Sequence, residues 1–103
     1  MTAFDADVRL TALKAADLID KRDWIYGFMA VNAQGLQVEP QSKEAVAWSL
    51  LGAVDRMTKD VHVRREILSR AAQVWGEQLH KEEPKRGKAG AVELLRKIAE
   101  ASK

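Results

Sequence analysis

The sequence contains no cysteine, only 2 prolines and 2 histidines, and no long run of apolar side chains. Without cysteine, disulfide bonds, thiol nucleophiles and cysteine-based zinc sites are excluded. His62 and His80 would lie about 27 Å apart on one continuous helix, which is too far for them to share a metal ion. No apolar stretch approaches the roughly 20 residues that span a bilayer. We therefore expect no metal, no bound cofactor and no membrane-spanning helix.

Length and composition predict one folded domain over residues 1–103. The chain is 47% hydrophobic and 31% charged, which is too apolar for a disordered protein, and 103 residues do not hold two independent cores. The segment from Met1 to Asp5 carries an acidic group and leads into no apolar run, unlike a secretory signal. We expect a cytoplasmic protein.

Apolar residues recur at helical spacing in four segments, which predicts four helices. These cover residues 4–22, residues 42–58 from a cap at Ser42, residues from a cap at Asp60 to Gly76 or His80, and residues 89–101. Residues 81–88 hold no apolar side chain apart from Pro84 and predict an exposed linker.

Between the first two helices, residues 36–39 alternate with period two, which is typical of a strand. Asn32 to Gly35 fit a hairpin loop in which Gly35 adopts a positive φ, so residues 28–31 are predicted to pair with residues 36–39. The predicted fold class is mainly α: about four helices in a compact bundle, with a short β-hairpin between helices one and two.

Three tryptophans are the most distinctive residues: Trp24, Trp48 and Trp75. They could pack in the core, with each indole N–H bonded to a carbonyl, or they could anchor a protein partner. Arg64 falls on the apolar side of the third predicted helix, where it could snorkel to solvent, pair with a carboxylate or face a partner. Gly52, one turn after Trp48, leaves space beside the indole. We predict that Trp24, Trp48, Arg64 and Trp75 are partner-binding residues.

The charge distribution offers an alternative function. Residues 1–52 hold 5 basic and 7 acidic groups, whereas residues 53–103 hold 12 and 8. A basic half of this kind can bind nucleic acid through phosphate contacts. The residues that would make those contacts are Arg64, Arg65, Arg70, Lys85, Arg86 and Lys88.

Catalysis finds little support in the sequence. A nucleophile, base and acid arrangement needs a serine beside a histidine, but Ser69 and His62 lie about 10 Å apart along one helix. The chain also lacks a Gly-x-Ser-x-Gly elbow. We expect no catalytic residues and no enzymatic activity.

Three segments carry a resemblance to a known family. Residues 13–19 (LKAADLI) are followed by Trp24 and Gly27, then by residues 48–53 (WSLLGA) and residues 91–97 (AVELLRK). This pattern resembles a family of small uncharacterised bacterial and bacteriophage proteins, a domain of unknown function. The resemblance implies a compact helical domain and carries over no site residue.

Together these features favour a small protein-interaction module. The resemblance suggests a phage-encoded modulator or inhibitor of a host complex. A homodimer is expected as well, because the predicted hairpin has an unpaired edge and the chain is rich in apolar residues for its length.

Overall fold

A computed structural model describes residues 2–101. It confirms a mainly α-helical fold of four helices, with a short antiparallel two-stranded sheet between the first and second helices. In chain order the elements are α1 (Ala3–Lys21), β1 (Ala30–Val31), β2 (Ala47–Trp48), α2 (Leu50–Met57), α3 (Val61–Trp75) and α4 (Leu79–Ala101).

Helix α1 begins with a capping box. The Thr2 hydroxyl accepts a hydrogen bond from the Asp5 backbone N–H at 3.1 Å and donates one to the Asp5 carboxylate at 2.9 Å. The hydrogen bond from this hydroxyl, supported by the Thr2 backbone, lowers the pKa of Asp5 below its ordinary value. The positive end of the helix dipole also stabilises a negative charge at this position.

Helix α2 is shorter than predicted. It begins at Leu50, and its N-cap is Ser49, whose hydroxyl accepts a hydrogen bond from Gly52 N–H. Ser42 instead accepts a bond from Glu44 N–H within a turn. The prediction of a helix from Ser42 was wrong because Ala47 and Trp48 form β2, and the N–H of Val46 just before it donates to the carbonyl of Val31.

Helix α3 begins at the predicted cap and ends at one of the two predicted C-terminal positions. The Asp60 side chain accepts a hydrogen bond from His62 N–H, and Gly76 ends the helix with a φ of 90°. Of the two ends predicted for this helix, Gly76 is confirmed.

Residues 81–88 are not an exposed linker, so that prediction was wrong. They belong to α4, which is broken only at Gly87, where φ is 66°. Pro84 cannot donate to the carbonyl of His80 one turn earlier. The Tyr26 hydroxyl donates to that carbonyl at 2.6 Å and satisfies it.

The core forms chiefly where α1 packs against α4. Alanines on both helices, including Ala12, Ala15 and Ala91, let larger side chains such as Ile19 and Leu95 pack closely and become fully buried. Each buried leucine or isoleucine contributes about 1.5–3 kcal/mol. At the rim, Arg96 of α4 pairs with Asp20 of α1 at 3.2 Å. The sheet contacts α2, through β2.

Candidate interaction surface

The sheet is wider than its two strands, because a further segment pairs on each side. β1 pairs with β2 in the register Ala30 to Trp48 and Val31 to Ala47. On its other side, β1 contacts residues 36–38 through a bridge between Val31 and Gln37. Beyond β2, Trp48 forms a parallel bridge with Trp24. The predicted pairing of residues 28–31 with residues 36–39 is therefore present as a narrow contact, while the longer partner of β1 is β2.

The hairpin loop itself is built as predicted. The Gly35 N–H donates to the carbonyl of Asn32 at 2.9 Å, and Gly35 has a φ of 80°. The Asn32 side-chain oxygen accepts from the N–H groups of Gln34 and Leu36. This is a three-residue loop that ends in a left-handed residue, and Asn32 fixes it from within.

Trp48 lies at the centre of the sheet and is only 1% exposed. Its indole N–H donates to the carbonyl of Pro40 at 3.0 Å. The guanidinium groups of Arg22 and Arg56 lie 5.9 Å and 5.7 Å from its ring centroid, within cation–π range. Trp48 is therefore a core residue and presents almost no surface to a partner. Of the two roles considered for this side chain, the structure shows core packing.

The space that Gly52 provides is filled by backbone. A Cβ atom at this position would lie 1.8 Å from the carbonyl oxygen of Met29. That same oxygen accepts a hydrogen bond from Ser49 N–H at 3.1 Å. Gly52 thus lets the chain just before β1 lie directly on the first turn of α2.

Trp75 is also buried, at 9% exposure. The Arg86 guanidinium lies 5.3 Å from its ring centroid, and the ring lies beside Gly90 of α4. Of the other predicted partner-binding residues, Arg64 makes no polar or stacking contact with Trp48 or Trp75. Arg64 pairs instead with Asp55 of α2, at 2.5 Å. The two tryptophans belong to one hydrophobic core, which is the packing alternative for both.

Trp24 is half-buried, and its indole N–H donates to the Glu83 carboxylate at 2.9 Å. Glu83 is only 8% exposed. The same carboxylate oxygen accepts from the backbone N–H of Leu50, also at 2.9 Å. A carboxylate is favoured at the N-terminus of a helix, so Glu83 caps α2 from a different helix. We call Trp24, Leu50 and Glu83 the carboxylate clasp.

The outer edge of the sheet is formed by Leu36, Gln37 and Val38, which we call the hairpin edge. The N–H of Asn32 donates to the carbonyl of Leu36, and the N–H of Val38 donates to the carbonyl of Ala30. Because successive residues of a strand direct their backbone groups to opposite sides, Gln37 between them directs its N–H and C=O away from β1. Among residues 2–101 these two groups have no hydrogen-bond partner.

Apolar side chains accompany the unpaired backbone. Leu36 is 63% exposed and Phe28, just before β1, is 47% exposed. The hairpin edge contains no lysine and no proline, the residues that usually protect an exposed strand. It therefore combines accessible backbone groups with accessible apolar surface.

Most of the basic residues considered for nucleic acid have protein partners. Arg70 pairs with Asp5 and Glu66, whereas Lys85 and Arg86 both pair with Glu82. Lys88 donates to the carbonyl of Arg22 at the end of α1.

Arg65 is exposed on α3 and forms no ion pair within residues 2–101. Arg64 is held by Asp55 as described. Five of the six candidates therefore have intramolecular contacts that phosphate would have to replace.

A shallow groove of about 620 Å³ runs between α1 and α4. Ala89 and Val92 contribute its apolar lining, and Lys88, Arg96, Lys97, Asp20, Glu93 and Glu100 surround them. Three basic and three acidic side chains surround the groove, so its net charge favours neither anionic nor cationic ligands.

Within residues 2–101, no three histidine or acidic side chains are grouped so as to hold a metal ion. In the same range, no helix has the length and apolar character to cross a membrane.

The sequence did not single out Gln37 or Glu83. Gln37 contributes through its backbone N–H and C=O, whose direction cannot be deduced from the residue type. The period-two alternation of residues 36–39 did indicate a strand there. Glu83 lies in a charged run that looks solvated, and nothing local marks its burial.

Comparison with protein-family models, curated proteins and solved structures finds no match to this chain.

Proposed function

We propose that this chain is a non-enzymatic protein-interaction module that binds an extended protein segment at the hairpin edge. The observation that supports the proposal is the outward-facing, unpaired backbone of Gln37 beside the exposed Leu36. An added strand gains affinity from backbone hydrogen bonds and specificity from alternate side chains. The resemblance to bacteriophage proteins suggests the setting, a partner within a bacterial host complex.

This proposal moves the binding residues away from the tryptophans. The burial of Trp48 and Trp75 argues for a structural role, and Trp24 is engaged by Glu83. Leu36 and Gln37 supply the contact surface instead, with Phe28 as a neighbouring apolar side chain.

The experiment uses two proline variants of the same hairpin. Gln37→Pro removes the outward N–H, and no hydrogen bond within residues 2–101 uses that group. Proline is tolerated on edge strands whose N–H faces solvent. Ala33→Pro is the matched control, because Ala33 occupies the turn position at which proline is favoured. Circular dichroism should show both variants folded.

The probe is a displayed library of linear ten-residue peptides selected on the wild-type chain. We expect enriched peptides to bind Gln37→Pro at least tenfold more weakly than wild type, and to bind Ala33→Pro as well as wild type. Equal binding to all three proteins, or no enrichment over a bare support, would overturn the proposal.

A mobility-shift assay tests the nucleic-acid alternative directly. Binding of duplex or single-stranded DNA that weakens steeply with added salt, and that is unaffected by Gln37→Pro, would favour the basic residues over the hairpin edge.

A further inference from the structure

We infer that the occupant of the hairpin edge is a second copy of this chain, paired antiparallel about a two-fold axis at Gln37. This inference rests on the proposed function, since it names the partner for the same edge. Two antiparallel strands can be related by a two-fold axis through a pair of identical residues that exchange both N–H···O bonds. Such a residue must direct both backbone groups outward, as Gln37 does.

No neighbouring residue satisfies that requirement. Gly35 already uses its N–H in the loop, donating to Asn32, and Glu39 uses its carbonyl to accept from Ser42 N–H. Leu36 and Val38 direct their backbone groups toward β1. Of these residues, Gln37 is therefore the one at which a symmetric hydrogen-bonded pair can form.

The side chains are self-complementary in this register. Leu36 of one copy lies opposite Val38 of the other, so each end of the short ladder joins two apolar residues. Glu39 lies opposite Gly35, so the two carboxylates do not face each other. Cross-strand apolar pairs stabilise a ladder, whereas directly opposed like charges destabilise it. A mismatched peptide would have to reproduce this pattern by chance, but a second copy does so by symmetry.

Pairing also extends the sheet in each copy. Residues 36–38 are joined to β1 only through the hydrogen bonds around the Val31 and Gln37 bridge. In the dimer they become an inner strand, with the Gln37 N–H and C=O satisfied in both copies. Because the ladder is short, the interface is small and the dimer weak, with a dissociation constant in the micromolar range or above.

Charged side chains introduced at the axis test the inference. In a hydrogen-bonded pair the two Gln37 side chains lie on one face, with their Cα atoms about 5.5 Å apart. Gln37→Lys and Gln37→Glu should each weaken self-association roughly two- to fivefold through like-charge repulsion. An equimolar mixture of the two variants should associate more tightly than either variant alone.

Sedimentation equilibrium up to about millimolar chain concentration measures the self-association of the wild type, of each variant and of the mixture. We expect wild type to approach twice the monomer mass of 11.5 kDa, Gln37→Pro to self-associate at least tenfold more weakly, and Ala33→Pro to behave as wild type. A wild-type chain that stays monomeric overturns the inference. So does a mixture of the charge variants that associates no better than either one alone.

The two failures are distinguishable. If the chain is monomeric but Gln37→Pro still loses the selected peptides, the edge binds another protein and only the self-pairing is wrong. If the chain dimerises and Gln37→Pro leaves both dimer and peptide binding intact, the hairpin edge is not the interaction surface.

Discussion

Replacing Glu83 with alanine should destabilise the protein far more than a surface glutamate change does. The carboxylate clasp satisfies two donors, the Trp24 indole N–H and the Leu50 backbone N–H. A buried donor left without an acceptor costs about 1–3 kcal/mol. Because Trp24 is only half-buried while the Leu50 bond is buried, we expect a total loss of about 3 kcal/mol.

That loss is a large fraction of the roughly 5–15 kcal/mol that stabilises a domain. For a chain of this size it corresponds to a fall in melting temperature of about 12 °C or more. Urea unfolding followed by far-ultraviolet circular dichroism gives the free energy, and an unchanged slope with urea would show that the denatured state is unaltered.

Glu82→Ala is the matched control on the preceding residue. Glu82 makes only side-chain ion pairs with Lys85 and Arg86 near the surface, which are worth up to about 1 kcal/mol. Glu83→Gln keeps an oxygen acceptor and loses the charge, so its effect should fall between those of the two alanine variants. If Glu83→Ala costs no more than Glu82→Ala, the reasoning about the clasp is wrong.

Two further predictions concern α2 and α1. Gly52→Ala should destabilise by about 2 kcal/mol in the same assay, because the new methyl group meets the Met29 carbonyl oxygen; in an open helix this change would stabilise by up to about 1 kcal/mol, so a gain in stability would contradict the close approach. Thr2→Ala should raise the pKa of Asp5 toward its ordinary value, since the hydrogen bond that lowers it is lost. In the wild type, the lowered pKa means that the stabilising effect of Asp5 is complete above the unfolded pKa of about 3.9 and disappears as the pH falls through the folded value. Carbon-detected NMR titration measures the shift, and identical Asp5 pKa values in the two proteins would refute this origin.

Helices with local signals were predictable from the sequence. Helix α3 starts at the Asp60 cap and stops at Gly76, and both residues form their capping hydrogen bonds with backbone groups only a few positions away. The hairpin loop was predictable for the same reason, because Asn32 and Gly35 complete it by themselves.

The errors fall where distant contacts override local pattern. β2 reads as the start of a helix, but Trp48 is held in extended form by the backbone of Asp23 and Ile25 on one side and by β1 on the other. Residues 81–88 read as a solvated linker, but Glu83 faces donors 33 and 59 positions earlier in the chain. Hydrophobic periodicity cannot show that a carboxylate accepts hydrogen bonds from donors this distant in the sequence.

The site was less predictable than the fold. The tryptophans attracted attention because large aromatic residues serve both cores and interfaces, and only burial separates the two roles. The hairpin edge depends on which way a backbone N–H points. That direction follows from the pairing register, which the sequence indicated for residues 36–39 without defining it.

The carboxylate clasp bears on the order in which this chain acquires structure during synthesis. Helix α2 leaves the ribosome before Glu83 does, since the residues whose N–H and carboxylate meet are separated by 33 positions. Its first turn then lacks this acceptor, and an eight-residue helix does not persist alone in water. Helix α1 likewise lacks its main packing partner until α4 has been synthesised, since the paired residues Asp20 and Arg96 are 76 positions apart. We therefore expect α2 to become stable only after Glu83 has been synthesised, so a released chain truncated just before Glu83 should be sensitive to protease throughout α2.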